Sequence, residues 1–263
     1  MVTRWVLGVL LWAAAALDAS AGAWTLPEGR VQIIMTTARK IAPAGGFFGQ
    51  AVEQDSNSTQ IFMEYGVLDD LTVGMTIFGE FSTTEDDVEA SIGVHARKRV
   101  WTGEDGDVLS VQGGVKLPVE RWLGEGLGDT RPDSVTEVQL RVLYGRGWQT
   151  DWGNSFFSTE LGLHLRGEGL DEEVRLDVTA GHEPLRGLLG LMSVFSTVPL
   201  GDSSDVSLKL APSIAYTFWP WLGDNDKKPY GPINPNTIQL GVIWDAANPD
   251  DGLTASLSVW KGF

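Results

Sequence analysis

Apolar and polar residues alternate one for one along most of this chain. In "MEYGVLDDLTVGMTIFGEF", Met63, Tyr65 and Val67 alternate with Glu64 and Gly66. After Asp69-Asp70, the residues Leu71, Val73, Met75, Ile77, Gly79 and Phe81 alternate with Thr72, Gly74, Thr76, Phe78 and Glu80. A repeat of 180° per residue marks a β-strand whose two sides meet different surroundings. About twelve such runs follow one another, at 29–42, 58–68, 71–82, 87–101, 107–119, 134–148, 154–167, 172–182, 186–198, 204–218, 237–246 and 252–263. Between them stand turn-formers such as Asp69-Asp70, "TGEDGD" at 102–107, "TDWGN" at 150–154 and "NPDDG" at 248–252. An even number of antiparallel neighbours joined by turns is the predicted outcome.

One face of these ribbons is uniformly apolar, as in Val138, Leu140, Val142 and Tyr144, or Val174, Leu176, Val178 and Ala180. The other carries charge: His95, Arg97 and Arg99; Glu137, Gln139 and Arg141; Glu160, His164 and Arg166; Arg175 and Asp177; Lys209. A soluble sandwich would turn the apolar faces inward. A membrane barrel would turn them to lipid and enclose the polar ones.

Two patterns favour the barrel. In "LTASLSVWKGF", Leu253, Ala255, Leu257, Val259 and Phe263 share one face and the sequence stops on Phe263, which resembles the terminal-strand signal read by the barrel-assembly machinery of bacterial outer membranes. Lys261 stands where such signals carry an apolar residue. Tryptophan also falls on one side. If the first strand runs outward from the periplasm, Trp101, Trp148, Trp152, Trp219 and Trp260 lie at periplasmic strand ends or turns, with Trp24 beside them, and indoles favour the headgroup layer. The expected fold is all-β: a closed antiparallel up-and-down transmembrane β-barrel of about twelve strands.

The first residues ask for separate treatment. "MVTRWVLGVLLWAAAALDASAGAW" has Arg4, an apolar run from Trp5 to Leu17, and Ala21-Gly22-Ala23 before Trp24. The run is shorter than the roughly 20 residues a spanning helix needs, and reads as a secretory signal with an A-x-A-like cleavage site. The expected division is 1–23 signal peptide and 24–263 one barrel domain. The chain has no cysteine, so stability must come from a core or a closed sheet. Its 19 Lys and Arg against 35 Asp and Glu give a net charge of −16, which argues against nucleic acid. The expected partners are instead the lipid bilayer and lipopolysaccharide, the assembly machinery, and small solutes.

The strongest functional candidate is the inward row of charges. Arg97, Arg99, Lys116, Arg141, Arg166, Arg175 and Lys209 would share the lumen with Glu64, Glu80, Glu89, Glu137, Glu160, His164 and Asp177. About twelve strands leave room for a narrow path, and rows of opposite sign would orient small polar or anionic solutes. Equally, the charges could pair and fill the interior. A hairpin at 149–152 whose paired numbers sum to 301 would set Arg141 opposite Glu160 and Glu137 opposite His164.

No catalytic, metal or cofactor site emerges from the sequence. His95, His164 and His182 lack metal-ligand spacing, and "GNSFF" at 153–157 lacks the second glycine of G-x-S-x-G. The acidic clusters at 85–87, 171–173, 202–205 and 250–251 read as a solvated outer rim, or as a place for divalent cations shared with lipopolysaccharide.

"AWTLPEGRVQIIMTTAR" at 23–39 and the hairpin at 63–81, with its Tyr65-Gly66, Asp70-Leu71-Thr72 and Gly74, resemble bacterial outer-membrane barrel transporters of the meta-pathway phenol degradation type. The resemblance covers about the first 80 residues and implies a barrel and passive transport. It implies no functional residue. The expected function is therefore a passive outer-membrane channel for small solutes, not an enzyme. A non-conducting structural or assembly barrel, or an outer-membrane hydrolase, stands as the alternative. Pro212 within a strand, weak alternation at 186–198 and the long segment 219–235 fit this scheme least well.

Overall fold

A computed structural model describes residues 22–42, 56–82, 88–119, 135–167, 170–201, 206–218, 236–249 and 252–263. Twelve strands run in chain order: β1 Val31–Ala42, β2 Ser56–Leu68, β3 Leu71–Ser82, β4 Val88–Thr102, β5 Val108–Pro118 and β6 Glu137–Thr150. There follow β7 Gly153–Arg166, β8 Glu173–Leu185, β9 Leu188–Pro199, β10 Ser207–Phe218, β11 Asn236–Asp245 and β12 Leu253–Gly262. Every boundary lies within three residues of the one read from the alternation. Each strand pairs antiparallel with its chain neighbours, and β1 pairs with β12, so the sheet closes without an edge. Phe263 extends this seam, donating its N–H to the Val31 carbonyl at 2.9 Å and accepting the Val31 N–H at 3.4 Å.

Closure decides what each side meets. The outer surface is a belt of exposed apolar side chains, among them Met35, Val94, Leu140 and Leu161, with Ile214 and Leu240 each 62 % exposed. A continuous apolar surface of this kind does not belong in water. It belongs in hydrocarbon, where a closed barrel is one of two architectures that satisfy every backbone group.

Turns are short at one end, where two residues separate β2 from β3, β6 from β7 and β8 from β9. Gly187 in the last of these has φ 83°, a left-handed conformation that a glycine adopts without strain. The described 103–107 turn lies at the same end, and the 219–235 segment falls outside the described residues.

Two expectations needed revision. Pro212 lies inside β10 and pairs with Met192 of β9, while the ladder to β11 skips from Leu210↔Trp244 to Ser213↔Gly241. The missing N–H is thus absorbed by a local opening on one side rather than by ending the strand. The β6–β7 hairpin closes at Thr150↔Gly153, so paired numbers sum to 303 and not 301. Arg141 stands opposite Gly162 and Glu137 opposite Arg166. The shift of two preserves which face each residue occupies.

Because Leu240 stands mid-strand on the belt between Ile214 and Leu257, Leu240→Arg should destabilise the barrel by about 2–4 kcal/mol in lipid vesicles. Denaturant titration checks this, with Asp151→Arg in the exposed turn expected to change stability by less than about 0.5 kcal/mol.

Candidate functional site: the lumen and its N-terminal segment

Register alone sorts the inner wall. From β2 to β8 it is ionic, and its charges meet one another. Arg97 and Glu64 form a buried ion pair, and Glu64 also receives His95 Nε2 at 3.1 Å. His95 stacks on Phe62 with ring centroids 5.5 Å apart. Glu137 pairs with buried His164, lies 3.8 Å from Arg175 and accepts from Gln139 Nε2 at 2.5 Å. Glu173 holds Arg166 at 2.5 Å and Arg175 at 2.8 Å, and Arg141 reaches Glu160 at 3.2 Å. The Arg141–Glu160 and Glu137–His164 contacts expected from the sequence exist, but as diagonals across the ladder rather than as direct opposites.

Lys116 faces inward with its ammonium 6.0 Å over the Phe78 ring. Asp177 stands opposite Glu160 on one side and Phe195 on the other. Arg99 lies at the short-turn rim, where its guanidinium donates to the Asp69 carbonyl at 2.9 Å. Lys209 is set apart on β10, opposite Asp245 and Phe195. The ten residues singled out for the lumen all occupy inward register positions.

From β9 through β12 to β1 the inner wall changes character. Hydroxyl and amide groups dominate and bond across the strands: Thr179 to Ser193 at 2.9 Å, Gln239 Nε2 to Ser213 at 2.7 Å, Thr217 to Thr237 at 2.8 Å and Thr36 to Ser258 at 2.8 Å. Inward Leu189, Leu191 and Phe195 add apolar surface, which is why β9 alternates poorly. This neutral wall was not recognised in the sequence, although its Ser and Thr positions keep the same period of two as the charges.

The segment before β1 enters the barrel. Arg97 donates from its second amino group to the Gly22 carbonyl at 2.6 Å, and Ser110 donates to the Ala23 carbonyl at 2.5 Å. Ala23 is fully buried against Val108 and Leu143, with Trp24 packed on the same cluster and edge-on to Phe156 at 6.2 Å. Thr25 donates to the Asp69 carbonyl at 2.7 Å, and the Leu26 N–H reaches Thr72 Oγ1 at 2.8 Å. Glycine makes the fit possible. A Cβ on Gly145 would meet the Trp24 ring at 2.7 Å, and one on Gly66 would lie 2.0 Å from the Pro27 carbonyl oxygen. Around this level the inward residues Gln32, Glu64, Thr72, Arg97, Ser110 and Leu143 are buried, as are Ser158, Ala215, Thr237 and Ser258. The N-terminal segment occupies the lumen at this level.

Below the segment, Lys98 and Asp70 pair at 2.6 Å, both half-exposed. The Lys98 hydrogen bond, reinforced by its charge, holds the Asp70 carboxyl below its ordinary value.

Aromatic placement follows expectation only in part. Trp101 and Trp148 are exposed on the outer face and Trp152 projects from the β6–β7 turn. Trp219 lies outside the described residues. Trp260 does not join the girdle: it pairs with Ile34 and Thr237 on the lumen side, and its Nε1 is buried with no hydrogen-bond partner among the described residues. The same alternation that sends Val259 to lipid sends its neighbour inward. Trp24 is likewise interior. At the opposite barrel end Trp244 is outward and exposed.

Ser155 and His182, not paired in the sequence reading, meet at 2.9 Å on the outer face beside Trp148. Among the described residues no carboxylate is recorded on this histidine, so the pair has two parts of a hydrolytic triad and lacks the third.

No protein-family model and no curated protein matches the chain. Among solved structures, an outer membrane channel from Pseudomonas putida F1 superposes with a TM-score of 0.54 at 12 % identity, over 93 % of this chain and 99 % of that one. The KdgM porin follows at 0.48 and 8 % identity, over 86 % and 97 %. The chain has the outer-membrane β-barrel fold. That likeness concerns architecture, and the apolar belt independently requires a bilayer around it.

Two predictions follow from the geometry of the N-terminal segment. Gly66→Ala should push residues 22–27 out of the lumen. In this cysteine-free chain, a Thr25→Cys reporter should react slowly with a maleimide alone and at least tenfold faster when combined with Gly66→Ala. Arg97→Met leaves the buried Glu64 carboxylate with His95 alone and should cost about 3–5 kcal/mol, and adding Glu64→Gln should recover part of that loss in a double-mutant cycle.

Proposed function

We propose that the protein is a passive outer-membrane channel for small polar solutes, with its narrowest point at the N-terminal segment. The observation that carries this reading is the unlike character of the two inner walls. On the ionic wall, Glu64, Glu137, Glu160 and Glu173 each have an arginine partner. Internal pairing of this kind dampens the net field that a row of isolated charges would exert. The facing wall offers hydroxyls, amides and the exposed Phe195 ring, groups that bind neutral or weakly anionic hydroxylated solutes without trapping them. Lys209 and Asp245 flank this wall and supply the charge preference.

Passage requires no energy input or cofactor in this scheme. The architecture shared with the Pseudomonas putida channel supports it, as does the resemblance of the first hairpin to transporters of the meta-pathway phenol degradation type. Contact with lipopolysaccharide at the outer rim and recognition of Phe263 by the assembly machinery belong to the same proposal. Among the described residues no carboxylate completes the outward Ser155–His182 pair, which does not favour a hydrolase.

Planar-bilayer recording tests the reading. The reconstituted protein should conduct, Gly66→Ala should raise conductance, and Lys209→Glu should shift ion selectivity toward cations with the fold unchanged. A correctly folded barrel that conducts neither as wild type nor as Gly66→Ala would reject the channel in favour of a structural barrel.

A further inference from the structure

Two overlapping A-x-A triplets precede the barrel, Ala19-Ser20-Ala21 and Ala21-Gly22-Ala23, and each satisfies the small-residue requirement for removal of a secretory signal. Sequence alone reads the second, which would start the chain at Trp24. The fold discriminates between them, because the two residues in dispute are built into the lumen. Ala23 is 0 % exposed between Val108 and Leu143. Its carbonyl accepts from Ser110, and the Gly22 carbonyl accepts from Arg97, whose other amino group holds Glu64.

We propose that the bond between Ala21 and Gly22 is the processing site, so that the chain begins inside its own barrel with Gly22 and Ala23 as fixed parts of the constriction. Water adds across that bond under the export peptidase. Ala21 leaves with the hydroxyl as a carboxylate and Gly22 keeps the proton on its new amino group.

Cleavage two residues later would remove the methyl that fills the Val108–Leu143 site and both carbonyl acceptors. It would also set a charged amino terminus on Trp24, in a cluster of apolar side chains with no carboxylate among the described residues that form it, and isolated charge is strongly disfavoured there. Cleavage after Ala21 sets that charge instead on Gly22, the residue that shares the Arg97 guanidinium with the Glu64 carboxylate. The amino terminus then lies on a residue whose carbonyl is held beside the Arg97–Glu64 pair, outside the apolar Ala23–Val108–Leu143 cluster.

The proposal rests on the exported-barrel reading but not on conduction, since a silent barrel would be processed at the same bond. The full reading frame is expressed in a Gram-negative host, and the protein is extracted from the outer membrane for N-terminal sequencing and intact mass. The expected terminus is Gly-Ala-Trp-Thr; a terminus of Trp-Thr-Leu-Pro in outer-membrane protein overturns the proposal and leaves the barrel reading standing. Two reciprocal variants, read by mass spectrometry on total cell protein so that folding does not matter, sharpen the result. Ala19→Glu should abolish the Gly22 terminus, leaving precursor or cleavage redirected to Trp24, whereas Ala23→Glu should leave the terminus at Gly22; the reverse pattern refutes the assignment.

Discussion

Backbone hydrogen bonding in hydrocarbon is the constraint on which this structure depends. A strand in lipid must have a partner on both sides, so β1 must find β12 across almost the whole chain. Once that seam forms, every residue's side follows from parity: one row to the acyl chains, the next to the interior. The ionic pairs, the hydroxyl ladder and the bed of the N-terminal segment all follow from that assignment. None of them could form in an open sheet of the same sequence.

The constraint also explains how much could be read in advance. Alternation reports faces directly, so strand existence and strand limits were legible, and parity set the row from Arg97 to Lys209 on a single face. Register is carried by turn geometry, which alternation leaves open in steps of two. The β6–β7 hairpin was therefore misplaced by one pair while its contacts survived as diagonals. Trp260 was misplaced for a different reason. Its position near a strand end suggested a girdle, but the parity of Leu257 and Val259 already sent it inward, and parity outranks residue type. The neutral wall was overlooked because Ser, Thr and Gln carry no charge to mark a face. The N-terminal segment had no periodicity at all, and its place is set by partners 44 to 87 residues away.

The ionic wall shows why inward charge is not by itself evidence of selectivity. Buried pairs such as Glu64–Arg97 contribute little net stability against apolar substitutes, because desolvation offsets attraction, yet they are costly to break singly. Their value lies in geometry. Arg97 orients toward Glu64 with one amino group and toward the incoming Gly22 carbonyl with the other, so the pair that fills the lumen also positions the segment that narrows it. The same residue thereby serves the filling of the interior and the constriction of the path.

Position then separates the two roles that a lumen charge can have. Arg97 is buried against Glu64, and Glu137 is buried against His164 and Arg175, so a passing solute would have to break these contacts to use them. Lys209 is exposed on the neutral wall, and its cross-strand partner Asp245 stands beside it at the strand ends away from the constriction. One oxygen of Asp245 accepts the Ala247 and Asn248 N–H groups at 3.0 Å, so on the proposed channel reading a solute on the hydroxyl ladder meets the Lys209 ammonium without displacing an ion pair. Charge preference, where it arises, therefore belongs to the sparsely charged wall rather than to the one with most of the charge.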